Sequence, residues 1–362
     1  MLIIQIGSLS QSRSFQDNLT KEWIYIDVDE DPIYIYACPI VGLLGCILNI
    51  LTLIIFLDKQ FKENLYRFLR IESIYIIINL FITCLRPLYF CKSKWLSKYF
   101  ATQLYYIYLL FYLASVLEMT ALLTHVLATF DFYALISTIK IKCLSFLEKK
   151  IIFKLNVVGT FLLSCLMYSY QLFMFDMVSY QILEVDLNQT VINQRIIYES
   201  KPNEFYNKSI FKKAIEMFVS IYRDGILLSV LIILNILIYF QVIKTLRNKK
   251  MLLNTNANNN QQILNSSSST NRASAKAHNK MVLMVLIGST NVFLGRIPIL
   301  IDFILRNLIK NHDMLNKLAV LAVYVSYSIN FFLYYYTNLR FRNVFNQYSR
   351  KLITLIPFGC KF

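Results

Sequence analysis

Seven apolar blocks, each about 20 residues or longer, set the first limit on what this chain can fold into. A helix of ~20 residues is long enough to cross the ~30 Å hydrocarbon core of a bilayer. Hydrophobic residues make up 57% of the 362 residues and charged residues only 16%, against roughly a quarter charged in soluble domains. The sequence therefore predicts an all-α membrane protein built as a seven-helix transmembrane bundle. The blocks cover 32–57, 68–90, 103–130, 151–175, 218–243, 281–305 and 317–337.

These blocks divide the chain into three predicted parts. Residues 1–31 form an extracellular N-terminal segment, 32–337 the transmembrane domain, and 338–362 an amphipathic helix 8 with a cytoplasmic tail. The stretch at about 247–280 contains NTNANNNQQ and NSSSSTNR, which offer few apolar side chains to offset the entropy of ordering. We expect this stretch to be a disordered cytoplasmic loop 3.

The distribution of charge predicts the orientation in the membrane. The segments after the first, third and fifth blocks and the C-terminal segment are rich in Lys and Arg, whereas residues 1–31 hold six acidic and two basic residues. Because basic loops stay in the cytoplasm, the chain is expected to be a multi-pass protein of the plasma membrane with its N-terminus outside the cell. The sequons at Asn18, Asn188 and Asn207 fall in the segments expected outside, which predicts a glycoprotein.

Several classes of protein are disfavoured by what the sequence lacks. The net charge of +16 comes from short basic clusters between apolar blocks, and not from the basic face that binds nucleic acid. The seven cysteines form no CxxC pair, and the three histidines are scattered, so neither a metal site nor a cofactor is predicted. No cluster of a nucleophile with its base is evident, so we do not expect an enzyme.

The end of the seventh block and the residues after it carry the most specific motif. Residues 328–345 read SINFFLYYYTNLRFRNVF. This segment resembles the end of rhodopsin-like (class A) G-protein-coupled receptors, in which Asn-Pro-x-x-Tyr closes helix 7 and an amphipathic eighth helix carries Phe-Arg-x-x-Phe. Phe331 replaces the Pro of the first motif. The matching positions are Asn330, Tyr334, Phe341, Arg342 and Phe345.

Weaker matches extend this resemblance over the chain. The first block contains GCILN ending at Asn49, the third ends with Asp131-Phe-Tyr133, and the sixth contains GRIP ending at Pro298. The resemblance implies that Asn49, Asp131, Tyr133, Pro298, Asn330 and Tyr334 take part in signalling. Phe132 stands where the family has Arg, Arg296 stands where it has Trp, and the family's disulfide between helix 3 and loop 2 cannot form because loop 2 has no Cys.

Four ionisable residues inside the blocks are candidates for a polar ligand-binding pocket, because charged side chains in a membrane tend to face the bundle interior. Counting 1.5 Å per residue from the inner ends places Glu118 and Arg296 at similar depth, which predicts a charge pair between them. The alternative is that Arg296 extends outward to water or to Asp302. Arg223 and Asp224 either join this pocket or mark the outer membrane interface.

Predictions for three further residues concern a possible disulfide and a histidine inside the third block. Cys38 and Cys91 lie at or beyond the outer ends of their blocks, so a disulfide, if present, is expected to join them. His125 lies deeper in the third block, where a hydrogen-bonded core residue is expected more than a ligand contact.

The resemblance implies a G-protein-coupled receptor that binds an extracellular ligand and signals to a heterotrimeric G protein. The long charged loop after the fourth block, the acidic N-terminal segment and an Arg in the pocket favour a peptide ligand, such as a neuropeptide. The partners expected are therefore that ligand, the G protein and the lipid bilayer. A seven-helix transporter or channel that uses the intramembrane charged residues is the alternative.

Overall fold

Seven long apolar helices form the body of the molecule. The computed structural model describes residues 3–8, 32–90, 96–137, 150–185, 191–207, 209–257, 268–305 and 313–355. In this part of the chain, seven helices are long and apolar enough to cross a membrane, as the sequence predicts. They are α1 Ile33–Phe56, α2 Asn64–Phe90, α3 Phe100–Ile136, α4 Ile151–Phe173, α5 Ile210–Thr245, α6 Met281–Leu305 and α7 Met314–Thr337, followed by α8 Leu339–Leu355.

Small residues allow α7 to approach both of its neighbours closely. A Cβ atom added at Gly45 of α1 would collide with the Ser328 side chain of α7, and one added at Gly295 of α6 would lie 2.5 Å from Ser326 Cβ. Helices in a membrane associate through such close packing, because lipid is as apolar as their side chains. The two glycines therefore fix how α1 and α6 pack on α7.

The helices that contain α5 and α6 extend beyond the predicted blocks into the segment that joins them. The helix that contains α5 continues to Ala257, and the one that contains α6 begins at Ser268. Both ends of the segment predicted to be a disordered loop 3 are therefore helical, while 258–267 lie outside the described residues. Each added residue of an existing helix gains a backbone hydrogen bond, a contribution that counting apolar residues misses.

A three-stranded antiparallel sheet, which the sequence did not indicate, covers the end of the bundle where α4 meets α5. The loop between these helices forms a hairpin of β2, Phe175–Val185, and β3, Val191–Pro202, and β1, Ile3–Ser8, pairs with β2 from the N-terminal segment. In this register Gln5 faces Leu183, and Ser179 faces Tyr198.

Polar contacts hold the hairpin against the start of α3, where the resembling family uses a disulfide. The backbone N–H of Ser200 donates to Gln103 Oε1 at 2.8 Å, and Lys98 Nζ lies 3.0 Å from Glu199 Oε1. The rings of Phe100 and Tyr198 pack edge to face at 5.1 Å. These contacts place the hairpin without a covalent bond.

An aromatic cluster closes the opposite end of the bundle and attaches α8. Phe56, Phe132 and Phe341 have no exposed surface, and the Phe341 ring lies 5.4 Å from that of Phe56. Asn338 begins α8, because its Oδ1 accepts a hydrogen bond from the Phe341 N–H at 3.2 Å. The amphipathic eighth helix predicted from the sequence is thus present and packs on α1 and α7.

Candidate functional site

Four charged side chains from three helices meet within the bundle. Arg296 Nη1 of α6 lies 3.0 Å from Glu118 Oε1 of α3 and 3.5 Å from Asp224 Oδ1 of α5. Arg223 Nη2 of α5 lies 2.7 Å from Asp224 Oδ2, and Arg223 Nη1 lies 3.9 Å from Glu118 Oε1. We call these residues the charge cluster. With two arginines and two acids, the cluster balances its own charge.

The local winding of α5 explains how two adjacent residues both reach the cluster. Residues Ile221–Leu227, which include Arg223 and Asp224, are wound as a π-helix. Such wider turns often occur at functional sites, because they rotate side chains away from their regular positions. Asp224 is 1% exposed, so this pair lies in the bundle interior and does not mark the membrane interface.

Hydrogen bonds extend the charge cluster to two more helices. Arg223 Nη1 donates to Tyr168 Oη of α4 at 3.0 Å, and Arg296 Nη2 donates to Tyr327 Oη of α7 at 3.2 Å. The cluster therefore joins five helices, α3 to α7. A movement of any one of them changes a distance within this network of ion pairs and hydrogen bonds.

The contact between Glu118 and Arg296 is close but poorly aligned. Although the two charged atoms are 3.0 Å apart, neither Glu118 Oε1 nor Arg296 Nη1 has a partner in hydrogen-bond geometry, and Arg296 Nε also lacks one. The two groups therefore form an ion pair whose hydrogen bonds are not made within the described part of the chain. Buried charged groups with unmade hydrogen bonds favour rearrangement when a better partner arrives.

The charge pair that the sequence predicts between Glu118 and Arg296 is confirmed. Arg296 is 1% exposed and contacts Glu118, so it does not extend outward to water. That these four residues bind a ligand stays a prediction.

A second buried polar group lies further along α3. His125 Nδ1 lies 3.0 Å from Glu72 Oε1 of α2, and His125 Nε2 lies 3.2 Å from Ser289 Oγ of α6. The expected hydrogen-bonded core histidine is therefore present. A cavity of about 10 Å³ beside His125 is bordered by Leu69 and Gly288, at the lower limit of the space that one water occupies. This group, the histidine bridge, ties α6 to α2 and α3.

Comparisons with known proteins show which fold the chain resembles. No family model matches the chain, and no curated protein matches it. A crystal structure of squid rhodopsin superimposes with a TM-score of 0.60 over 89% of this chain and 86% of that one, at 14% sequence identity. The chain has the rhodopsin-like receptor fold. The low identity means that the likeness covers the fold and not the site.

Within the rhodopsin-like fold, two of the predicted signalling residues make contacts between helices. Asn49 Nδ2 donates to the Tyr327 carbonyl of α7 at 3.1 Å, and Asn291 Nδ2 of α6 donates to Asn330 Oδ1 at 3.0 Å. Asn330 thus connects α7 to α6. These contacts support structural roles, and their part in signalling stays a prediction.

The other predicted signalling residues, except Pro298, lie toward the end of the bundle that carries α8. Tyr334 is buried with its ring 5.2 Å from that of Phe56, while Asp131 and Tyr133 are half-buried at the end of α3. Pro298 lies inside α6, two residues after Arg296. In α8, Phe345 packs on Phe331 at 5.4 Å and Arg342 is half-buried.

Several predicted sites lie outside the described residues or are untested. Asn18, Asn188 and Cys91 fall outside the described residues, and Asn207 ends a short helical turn, Glu204–Asn207. Cys38 is buried at the outer end of α1. The glycosylation sites and the disulfide therefore stay predictions.

Arg86 is an important residue that the sequence analysis missed. It lies near the outer end of α2, directly before Pro87, and is only 9% exposed. A signal for it existed, because an arginine inside an apolar block is itself a site hypothesis. The pairing of Glu72 with His125 was also missed, since sequence spacing does not show which helices face each other.

Proposed function

We propose that this chain is a G-protein-coupled receptor of the plasma membrane that binds an extracellular peptide and signals to a heterotrimeric G protein. The observation that carries the proposal is the charge cluster, which joins α3, α5 and α6 inside a rhodopsin-like fold. A buried cluster that balances its own charge is stable when unliganded, and a charged ligand can compete for its members. The N-terminus lies outside in this proposal, so ligand reaches the cluster from the side of the sheet.

The proposed mechanism is a shift between two packings of the bundle. A ligand group that binds Glu118 or Arg296 removes one contact between α3 and α6. Arg296 is then held by Asp224 and Tyr327 alone, and α6 is free to move about the kink at Pro298. Release of Ser289 from the histidine bridge transmits this movement to the cytoplasmic half, where a cleft opens for the G protein.

A peptide is favoured over a small amine by the chemistry of the outer surface. A ligand amine seeks an unpaired carboxylate, but Glu118 and Asp224 both lie within 4 Å of an arginine. The three-stranded sheet adds extended backbone beside the bundle. Peptides use such surfaces together with a few charged contacts.

The test is nucleotide exchange in membranes from cells that express the full chain, challenged with a peptide library. The proposal expects at least one peptide to raise GTP exchange in these membranes and not in membranes with the Arg296→Gln variant, while Arg350→Gln, an equivalent change on the exposed face of α8, responds normally. A channel or transporter would instead give ion or solute flux without exchange, and that result would reject the receptor.

A further inference from the structure

Arg86 is a buried cation whose charge no described residue balances. Its guanidinium lies between the ring of Tyr34 at 4.7 Å and that of Tyr324 at 5.5 Å, measured from Cζ to the ring centroids. Arg86 Nη2 donates to Tyr324 Oη at 3.0 Å. No carboxylate in the described part of the chain lies within ion-pair distance of it. Each of its close partners in the described part of the chain is therefore neutral.

The other buried arginines show how unusual this is. Arg223 and Arg296 are each held by at least one carboxylate within 3.0 Å, as expected for charges removed from water. Arg86 Nε, by contrast, is buried without any hydrogen-bond partner. Aromatic faces stabilise a cation by roughly 0.5–2 kcal/mol, which is less than burial of an unpaired charge costs. The site is incomplete without an anion.

The residues around Arg86 come from three helices, and Arg86 lies where the winding of α2 changes. Tyr34 lies in the first turns of α1, Arg86 near the end of α2, and Tyr324 in α7. The α-helical winding of α2 ends at Cys84 and resumes over Pro87–Phe90, so Arg86 sits in the turn between the two pieces.

We propose that Arg86, with Tyr34 and Tyr324, forms a subsite that binds a carboxylate of the extracellular ligand. This inference rests on the proposed receptor function. One guanidinium matches the single charge of a carboxylate, whereas a phosphate dianion would leave a net negative charge in a buried site. The two tyrosine rings favour an aromatic or apolar group next to that carboxylate.

The experiment measures binding of phenylacetate to the purified full chain in lipid nanodiscs, at constant ionic strength, through the rise of Tm with probe concentration. Phenylacetate should raise Tm, while the neutral phenylacetamide and inorganic phosphate should not. Arg86→Gln should weaken phenylacetate binding roughly tenfold or more, since a hydrogen bond to a charged group contributes about 1.5–3 kcal/mol. The control, Arg350→Gln on α8, should bind as the unmodified chain does.

Two further variants keep the test decisive. If Arg86→Gln fails to fold, Arg86→Lys retains the charge and should still bind phenylacetate severalfold more weakly, because lysine lacks the planar fork of donors. The acids at 27–31 are the other source of a carboxylate. If phenylacetate binds only after these acids are changed to amides, the acids themselves pair with Arg86. The ligand subsite is then rejected.

Equal binding by Arg86→Gln and the unmodified chain, or preference for phosphate, also overturns the proposal. Because the readout needs no G protein, binding without nucleotide exchange would retain the subsite and reject the receptor function. Nucleotide exchange without phenylacetate binding would reject the subsite and retain the receptor function.

Discussion

Glu118 Oε1 lies 3.0 Å from Arg296 Nη1, and this contact crosses the bundle from α3 to α6. Because Asp224 and Arg223 lie within 4 Å of the same pair, loss of one member leaves charges that can re-pair within the cluster. Such re-pairing would give the cluster a second arrangement of contacts, which is the property that a two-state element requires.

The first prediction concerns the stability of this pair. Glu118→Gln should lower the free energy of unfolding by about 3–5 kcal/mol at most, the range for breaking a buried pair, with partial compensation from Asp224. The double variant Glu118→Arg with Arg296→Glu should recover part of the stability that each of its two single changes loses. Thermal unfolding of the purified variants measures both. Glu63→Gln removes the exposed contact with Arg340 and should change stability little. An additive double variant would show that the two residues do not interact.

The second prediction concerns the histidine bridge. His125→Leu leaves the Glu72 carboxylate buried without its partner, so surface expression should fall strongly. Ser289→Ala removes the contacts of the Ser289 hydroxyl with His125 Nε2 and Thr129 Oγ1, worth ~1 kcal/mol each, and should raise basal GTP exchange while the protein still folds. Thr290→Ala is the control, because Thr290 is exposed and bonds only within its own helix. Unchanged basal exchange in Ser289→Ala would remove the bridge from the mechanism.

The third prediction uses glycines as a test of helix packing. Gly295→Ala places a Cβ atom 2.5 Å from Ser326 Cβ, so α6 and α7 must separate and Tm should fall. At Gly159 of α4 nothing lies within 4 Å of an added Cβ, and alanine there should be neutral or stabilising by up to ~1 kcal/mol. Ser326→Gly should rescue Gly295→Ala. An equal fall of Tm in Gly295→Ala and Gly159→Ala would contradict this packing of α6 on α7.

The fourth prediction concerns the hairpin that covers the bundle. Gln103→Leu removes the acceptor of the Ser200 N–H and should increase hydrogen exchange in β3 near Ser200, because the hairpin loses its polar contact with α3. Gln181→Leu, a similar change within β2, should leave exchange at Ser200 unaltered. Equal exchange at Ser200 in all three proteins would show that the hairpin is held by other contacts.

Topology gives the fifth prediction. Glycosidase treatment should increase the gel mobility of the expressed protein, and Asn188→Gln should reproduce part of that change. An epitope tag after Phe362 should stain only after the cells are made permeable. Staining of intact cells would reverse the orientation, and with it the assignment of the charge cluster to the ligand side.

The sequence indicated the features that depend on spacing along one helix. Apolar length gave the seven helices, and the rise per residue put Glu118 and Arg296 at the same depth. Contacts set by the rotation of helices could not be predicted this way. The pairing of Glu72 with His125 was not predicted, and Arg86 was missed since its environment comes from α1 and α7. The hairpin was missed because its pairing depends on residues of distant parts of the chain.

Nucleotide exchange by a G protein in membranes that carry the unmodified chain or Glu118→Gln tests the central claim most directly. If the contact between Glu118 and Arg296 holds the resting packing, Glu118→Gln should show higher exchange without any ligand than the unmodified chain at equal surface expression, and Glu63→Gln should not. Equal basal exchange in Glu118→Gln and the unmodified chain, with several classes of G protein supplied, would contradict the account.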